Sequence, residues 1–146
     1  PKTEIDRFEG KTIYFKDSSS EEFDSVIACT GFELAHPFFD KNFLNYTEGP
    51  VPLYLKMFHA EYDNLYFIGM FQPLGCIWPG AEQQSILATL ALKGLWERPS
   101  NIKVLCEREV TNPHMKQINT SRHRITVDFH KFLKDLKKQI KKVKKT

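Results

Sequence analysis

The chain has 146 residues, 41% of them hydrophobic, and a formal net charge of +3, which suits one packed core and leaves little for a second independent domain. Twelve Phe and five Tyr exclude a disordered composition and point to an interior or ligand pocket built largely from rings. Three widely spaced cysteines, Cys29, Cys76 and Cys106, form no Cys-x-x-Cys pair, so neither a zinc site nor a disulfide framework is expected and the chain reads as reduced and cytoplasmic.

Taken in chain order, Glu4–Phe8 and Thr12–Phe15 alternate apolar and polar residues around Gly10, which predicts a β-hairpin. Asp17–Ser20 supplies a second turn, and Phe23–Cys29 is a β-rich apolar run ending in Thr30-Gly31, read as a buried strand entering a tight loop. Phe32–Pro52 is rich in Phe, Pro, Asn and Gly without a period and predicts an irregular, aromatic-lined connection. Leu65–Ile68 predicts a short strand, broken by Gly69, Pro73, Gly75, Pro79 and Gly80.

Ala81–Trp96 predicts a helix with Pro79 near its start, where a missing amide hydrogen costs nothing. Its middle, Ile86–Leu92, is apolar on nearly every face, so a helix buried between layers is expected. Asn101–Asn119 reads as a helix interrupted at Pro113, and Arg124–Val127 as a short extended segment. The last helix carries Phe129, Phe132, Leu133, Leu136, Ile140 and Val143 at spacings of three and four, with lysines on its other faces. Such a helix could meet nucleic acid or an anionic membrane, but a stripe of this regularity fits docking on the protein's own core with solvated lysines outside. No apolar run reaches the roughly 18 residues of a membrane span, and the polar start is unlike a signal peptide.

Two constellations carry chemistry. Val26–Phe32 places small residues, Ala28, Thr30 and Gly31, at a strand end, where open α/β sheets bind ligands; the plain alternative is a strand end with a glycine turn. In Asn64–Gln84 a strand, a glycine that lets backbone approach a ligand and a helix start together make a platform favouring negative charge. His123, Asp128 and His130 are close in sequence but separated by an extended segment, so no metal site is expected and Asp128 reads as the cap of the last helix. Cys29 and Cys76 lack the oriented base that a nucleophile needs, and Cys76 reads as a small apolar filler.

These segments resemble the flavin-containing monooxygenase family, in its bacterial type. Asp24–Phe32 is similar to the family's D-x-V-I-x-A-T-G-[FY] segment, with Cys29 where alanine commonly stands. Asn64–Gln84 is similar to N-L-Y-F-I-G-x-x-Q-P-x-G followed by P-x-x-E-x-Q, and Gly69, Gln72, Pro73, Gly75, Pro79, Glu82 and Gln84 match position by position. Ser121–His130 resembles the closing R-H-x-I-x-V-D-F-x-x-Y/F segment of bacterial members, with Phe132 close to the usual aromatic. Met70 after Gly69 departs from the aspartate of flavin disulfide reductases, which favours the oxygenase branch.

The resemblance implies an α/β fold, the carboxyl-terminal part of a two-dinucleotide-binding, Rossmann-like flavoprotein with an amino-terminal hairpin, a buried helix and a final amphipathic helix. Residues 1–31 would end the NADP-binding domain and provide return strands; residues 32–146 would be part of the FAD-binding domain. A complete relative binds FAD and NADPH, activates dioxygen as a flavin hydroperoxide and oxygenates a soft nitrogen or sulfur in a small molecule, or in some relatives inserts oxygen beside a carbonyl. The cofactor-facing residues implied are Thr30, Gly31, Gly69, Gln72, Pro73, Gly75, Glu82 and Gln84. Phe38, Phe39, Tyr54, Phe58 and Trp78 are candidates for an apolar channel, and no residue is assigned a catalytic or metal-binding role.

No G-x-G-x-x-G turn occurs and the chain lacks an initiator Met, so a piece of a longer protein is expected, its partner being the missing amino-terminal dinucleotide-binding part. Alone it should be colourless and marginally stable, with unpaired strand edges and exposed apolar faces. The competing reading is a non-catalytic remnant or interaction module of the same fold. Neither nucleic acid nor a membrane span is expected, and the oligomeric state is left open.

Overall fold

The computed structural model describes residues 1–31, 34–40, 43, 51–112 and 123–143. The chain divides into two compact units, Pro1–Leu34 and Ala35–Thr146. Most of the connection expected over Phe32–Pro52, and the break expected at Pro113, lie outside the described residues.

The first unit is a three-stranded antiparallel sheet in the order β1-β2-β3, formed by Ile5–Glu9, Thr12–Phe15 and Ser20–Glu22. Gly10 turns the expected hairpin at φ +59°, a conformation that costs glycine little. Ile13 and Phe15 on β2 are buried, as the two-residue alternation requires. The buried strand expected at Phe23–Cys29 is not there. The third strand lies earlier, and Val26 and Ile27 are 56% and 86% exposed. β-branched residues favour strands because they pack on neighbours across a pleated surface; the Phe23 N–H donates to Lys11 O, but among the described residues no strand pairs with Val26 and Ile27.

The second unit holds three helices, α1 (Trp78–Leu92), α2 (Ile102–Thr111) and α3 (Phe129–Ile140), around a core that includes Phe58, Phe71, Leu87, Trp96, Cys106, Phe132 and Leu136. Trp96 stacks on Phe58 with ring centroids 4.8 Å apart, and Phe71 meets Phe132 at 4.7 Å. Each ring buried this completely contributes about 1.5–3 kcal/mol relative to leaving it in water. The strand expected at Leu65–Ile68 is reduced to a single antiparallel bridge between Phe58 and Tyr66. The extended segment near Arg124–Val127 bridges in parallel to Gln72.

α1 starts three residues earlier than the sequence suggests and stops four earlier. Gly94, at φ +67°, ends it: its N–H donates to Ala91 O and that of Leu95 to Leu90 O, the paired reversal that closes many helices. α1 is also not buried all round. Gly80, Gln84, Leu87 and Ala88 face the core, whereas Trp78 (75%), Ile86 (40%) and Leu92 (69%) are exposed. The apolar circumference of the sequence therefore corresponds to one face packed here and one face uncovered.

α3 follows its stripe, with Phe132 and Leu136 fully buried and Lys134, Lys137, Lys138 and Lys141 exposed. Asp128 caps it, its Oδ1 accepting the Lys131 N–H at 3.1 Å. Removing that acceptor in Asp128→Ala is expected to cost about 1 kcal/mol, read as a shift in the urea midpoint with unchanged m.

Candidate functional site

Residues 69–84 form a surface-lying elbow between the Phe58–Tyr66 bridge and α1. Gly69 (φ +78°) and Gly75 (φ +122°) adopt backbone conformations that residues with a Cβ rarely take. Between them Gln72 is fastened on both sides, its N–H donating to Ile125 O at 2.8 Å and its carbonyl accepting from Val127 N–H at 3.1 Å. The Gln72 side chain is exposed, as are Leu74 (83%), Gly75, Cys76 and Trp78, while Pro73 and Ile77 are half-buried. Met70 and Phe71 are buried and anchor the segment, while most side chains from Gln72 to Trp78 are exposed.

The start of α1 has no side-chain cap and no acidic residue in its first turn, and Pro79 sits in that turn. Pro79 has no amide hydrogen and those of Gly80 and Ala81 donate to Ile77 O at 3.1 Å, so what favours a negative partner at this end is the helix dipole. Glu82 lies one turn further on and is exposed. Gly80 is needed for a different reason: a Cβ there would come within 2.3 Å of the Phe71 ring, so its absence lets α1 settle onto that ring.

Gln84 is fully buried and uses both ends of its amide. Its Oε1 accepts the Gly69 N–H at 2.8 Å and its Nε2 donates to Leu55 O at 3.0 Å. The side chain thus ties α1 to the turn at Gly69 and to the Leu55 backbone. Thr30 and Gly31 belong to the first unit and are exposed, with Gly31 at φ +83°.

The five aromatic candidates are dispersed. Phe58 is in the core, Phe39 stacks on Phe43 at 4.4 Å, and Phe38 and Trp78 are exposed. Tyr54 lines a cavity of about 600 Å³ between α2 and α3, together with Arg108, Glu109, Lys138 and Gln139. No residue of 69–84 borders that cavity.

Sequence reasoning missed the buried polar groups of this region. Lys56 and Glu109 form an ion pair at 3.2 Å, with side chains only 3% and 7% exposed. Arg98 clamps the 59–63 loop, donating to Ala60 O and Tyr62 O and pairing with Asp63. Only the spacing of lone charges within apolar runs, as at Lys56 in Val51–Phe58, hinted at them.

Burial pushes the Tyr54 hydroxyl up to about 12, with the Glu109 and Asp135 carboxylates adding to the rise and the Gln139 hydrogen bond opposing it. A raised pKa favours the protonated, folded form, so this stabilisation is complete below about pH 10 and is lost as pH climbs towards 12. Urea unfolding across that range is expected to show a steeper fall for the wild type than for Tyr54→Phe.

Residues 1–145 match the family described as Flavin-binding monooxygenase-like. The chain belongs to this family. It is similar to flavin-containing monooxygenase 5 of Rattus norvegicus, 34% identical over 133 residues that cover 88% of the chain and 25% of the relative. The corresponding protein of Oryctolagus cuniculus is 31% identical, covering 92% of the chain and 26% of the relative. Dimethylaniline monooxygenase [N-oxide-forming] 2 of Rattus norvegicus is 32% identical over 73% of the chain and 20% of its own length. The chain therefore spans about a quarter of the curated relatives it matches. Its small α/β fold is consistent with a portion of such a protein.

Among the described residues no helix is long and apolar enough to cross a membrane, and no group of three or more His, Cys, Asp or Glu residues could hold a metal ion.

Proposed function

We propose that this chain supplies one wall of the flavin site in an FAD- and NADPH-dependent monooxygenase. The observation that carries the reading is the elbow at 69–84, where two left-handed glycines and a helix start without a side-chain cap lie in the stretch whose residues resemble the family's motif. The residues present fit a flavin. A Cβ at Gly75 would meet nothing within 4 Å, so backbone is open to close approach there, and no acidic side chain in the first turn of α1 opposes an electron-rich ring edge.

In this reading Gly69, Pro73 and Gly75 shape the wall and Gln72 makes a polar contact near the ring. Glu82 contributes at its margin, and Thr30 and Gly31 are cofactor-facing candidates of the first unit on the resemblance alone. Gln84 acts by holding Gly69 in place. The start of α1 favours negative charge on a reduced flavin by about 0.3–1 kcal/mol where exposed and up to ~2 when partly buried. Bound flavin supplies hydride acceptance from NADPH and the activation of dioxygen; the protein orients the substrate and excludes water.

Residues 1–31 would complete the NADP-binding domain and its return strands, and 32–146 the FAD-binding domain. The missing amino-terminal dinucleotide-binding part would cover the exposed face of α1, where Trp78 and Leu92 leave apolar area that water otherwise meets. Soft nitrogen or sulfur nucleophiles are the substrate class, which the N-oxide-forming name of one relative supports.

The test compares this chain with the intact gene product. The chain alone should be colourless, whereas the intact protein should carry oxidised-flavin absorbance, consume NADPH and oxygenate a tertiary amine or thioether faster than a ketone. An intact protein that binds no flavin would remove the proposal, and preference for the ketone would redirect it to carbonyl oxygenation.

A further inference from the structure

We propose that Glu109, paired with Lys56, is a positioning residue for the turn at Gly69, acting through Leu55 and Gln84. Glu109 Oε1 accepts the Leu55 N–H at 3.4 Å while Oε2 lies 3.2 Å from Lys56 Nζ. The Leu55 carbonyl accepts from Gln84 Nε2 at 3.0 Å, and Gln84 Oε1 accepts the Gly69 N–H at 2.8 Å. Four buried residues, Leu55, Lys56, Gln84 and Glu109, are 2%, 2%, 0% and 6% exposed. α2 is thereby connected to the glycine turn by an unbroken series of polar contacts.

The middle of this series is strained. Leu55 and Lys56 have φ of +54° and +55°, a left-handed backbone that residues with a Cβ adopt only when their surroundings hold them there. Glu109 holds both, the first through its amide and the second through its ammonium group. If that grip is lost, the Leu55–Lys56 backbone relaxes towards ordinary φ and the Leu55 carbonyl turns away. Gln84 then loses its acceptor, and its Oε1 is no longer fixed beneath the Gly69 amide.

Buried ion pairs add little net stability over apolar side chains of the same volume, yet losing one partner is severe. A pair placed at a strained turn therefore serves geometry more than stability. Its consequence for flavin rests on the reading of 69–84 given above; its consequence for the Gly69 amide does not.

The experiment measures hydrogen exchange of individual amides by NMR in the full chain, for wild type, Lys56→Met/Glu109→Leu and Tyr54→Phe. The double variant removes both charges together and leaves no lone buried ion. Exchange at Gly69 is expected to quicken at least tenfold while Phe132 and Leu136 keep wild-type protection, and Tyr54→Phe should leave Gly69 unchanged. Unaltered Gly69 exchange in a folded double variant overturns the proposal. Should that variant not fold, Lys56→Met/Glu109→Met decides in the same way, since it too removes both charges and the acceptor of the Leu55 N–H while a flexible side chain fills the space.

A second readout uses the flavin-loaded intact gene product, where the folded double variant should displace the flavin absorbance maxima or reduction potential relative to wild type, a change that loss of stability alone would not produce. Wild type without flavin defeats the flavin reading and leaves the exchange result standing. Flavin unchanged by the double variant, with Gly69 exchange also unchanged, defeats the positioning role alone.

Discussion

Replacing Gln84 with leucine is expected to lower folding stability by about 3 kcal/mol, although the side chains are close in size and the site is buried. Leucine fills the space but leaves the Gly69 N–H and the Leu55 carbonyl without the partners they have at 2.8 and 3.0 Å. A buried backbone group that loses its partner costs about 1–3 kcal/mol, and two are affected here. Urea unfolding gives the total. Exchange at Gly69 separates the local part, which should rise well beyond that of amides in α3. A loss under about 1 kcal/mol would show that water or another group replaces the amide and that Gln84 is not the clamp.

Gly80→Ala should be destabilising by about 2 kcal/mol, against the usual gain of about 1 kcal/mol from replacing glycine within a helix. The added methyl would overlap the Phe71 ring at 2.3 Å, and that ring has little room to retreat because it is 1% exposed and rests on Phe132. Shortening the obstacle in Phe71→Leu should convert the alanine from harmful to neutral. The two changes must therefore be strongly non-additive. Additive losses, each independent of the other, would mean that α1 does not approach Phe71 this closely.

The sequence carried the local features well where a short-range rule governs them. Gly10 marks the hairpin, Asp128 the cap of α3, and Phe132 and Leu136 the buried stripe, each from spacing within a few residues. Gly94, a lone glycine after an apolar helical run, is an equally legible stop for α1, which ends before the Trp96 expected from the apolar pattern. What failed was anything set by partners distant in sequence. Among the described residues Val26 and Ile27 have strand character without a neighbouring strand, and the apolar back of α1, at Trp78, Ile86 and Leu92, is exposed.

The candidate site divides along the same line. Its glycines at 69 and 75 were readable because left-handed backbone selects glycine. The polar series behind them was not, because nothing near Gln84 in sequence indicates that its amide reaches Leu55, 29 residues away, or that Glu109 grips the same turn. Lys56, 2% exposed, is marked only by its place as a lone charge in an apolar run, which does not name its partner. Non-glycine residues at positive φ leave no compositional trace at all.

Hydrogen exchange read by mass spectrometry on the intact gene product, with and without FAD, tests the flavin wall most directly. Peptides covering 69–84 are expected to exchange markedly more slowly once FAD is bound, while those covering α2 and α3 change little. Demonstrated FAD binding that leaves 69–84 unprotected and slows exchange elsewhere would contradict it.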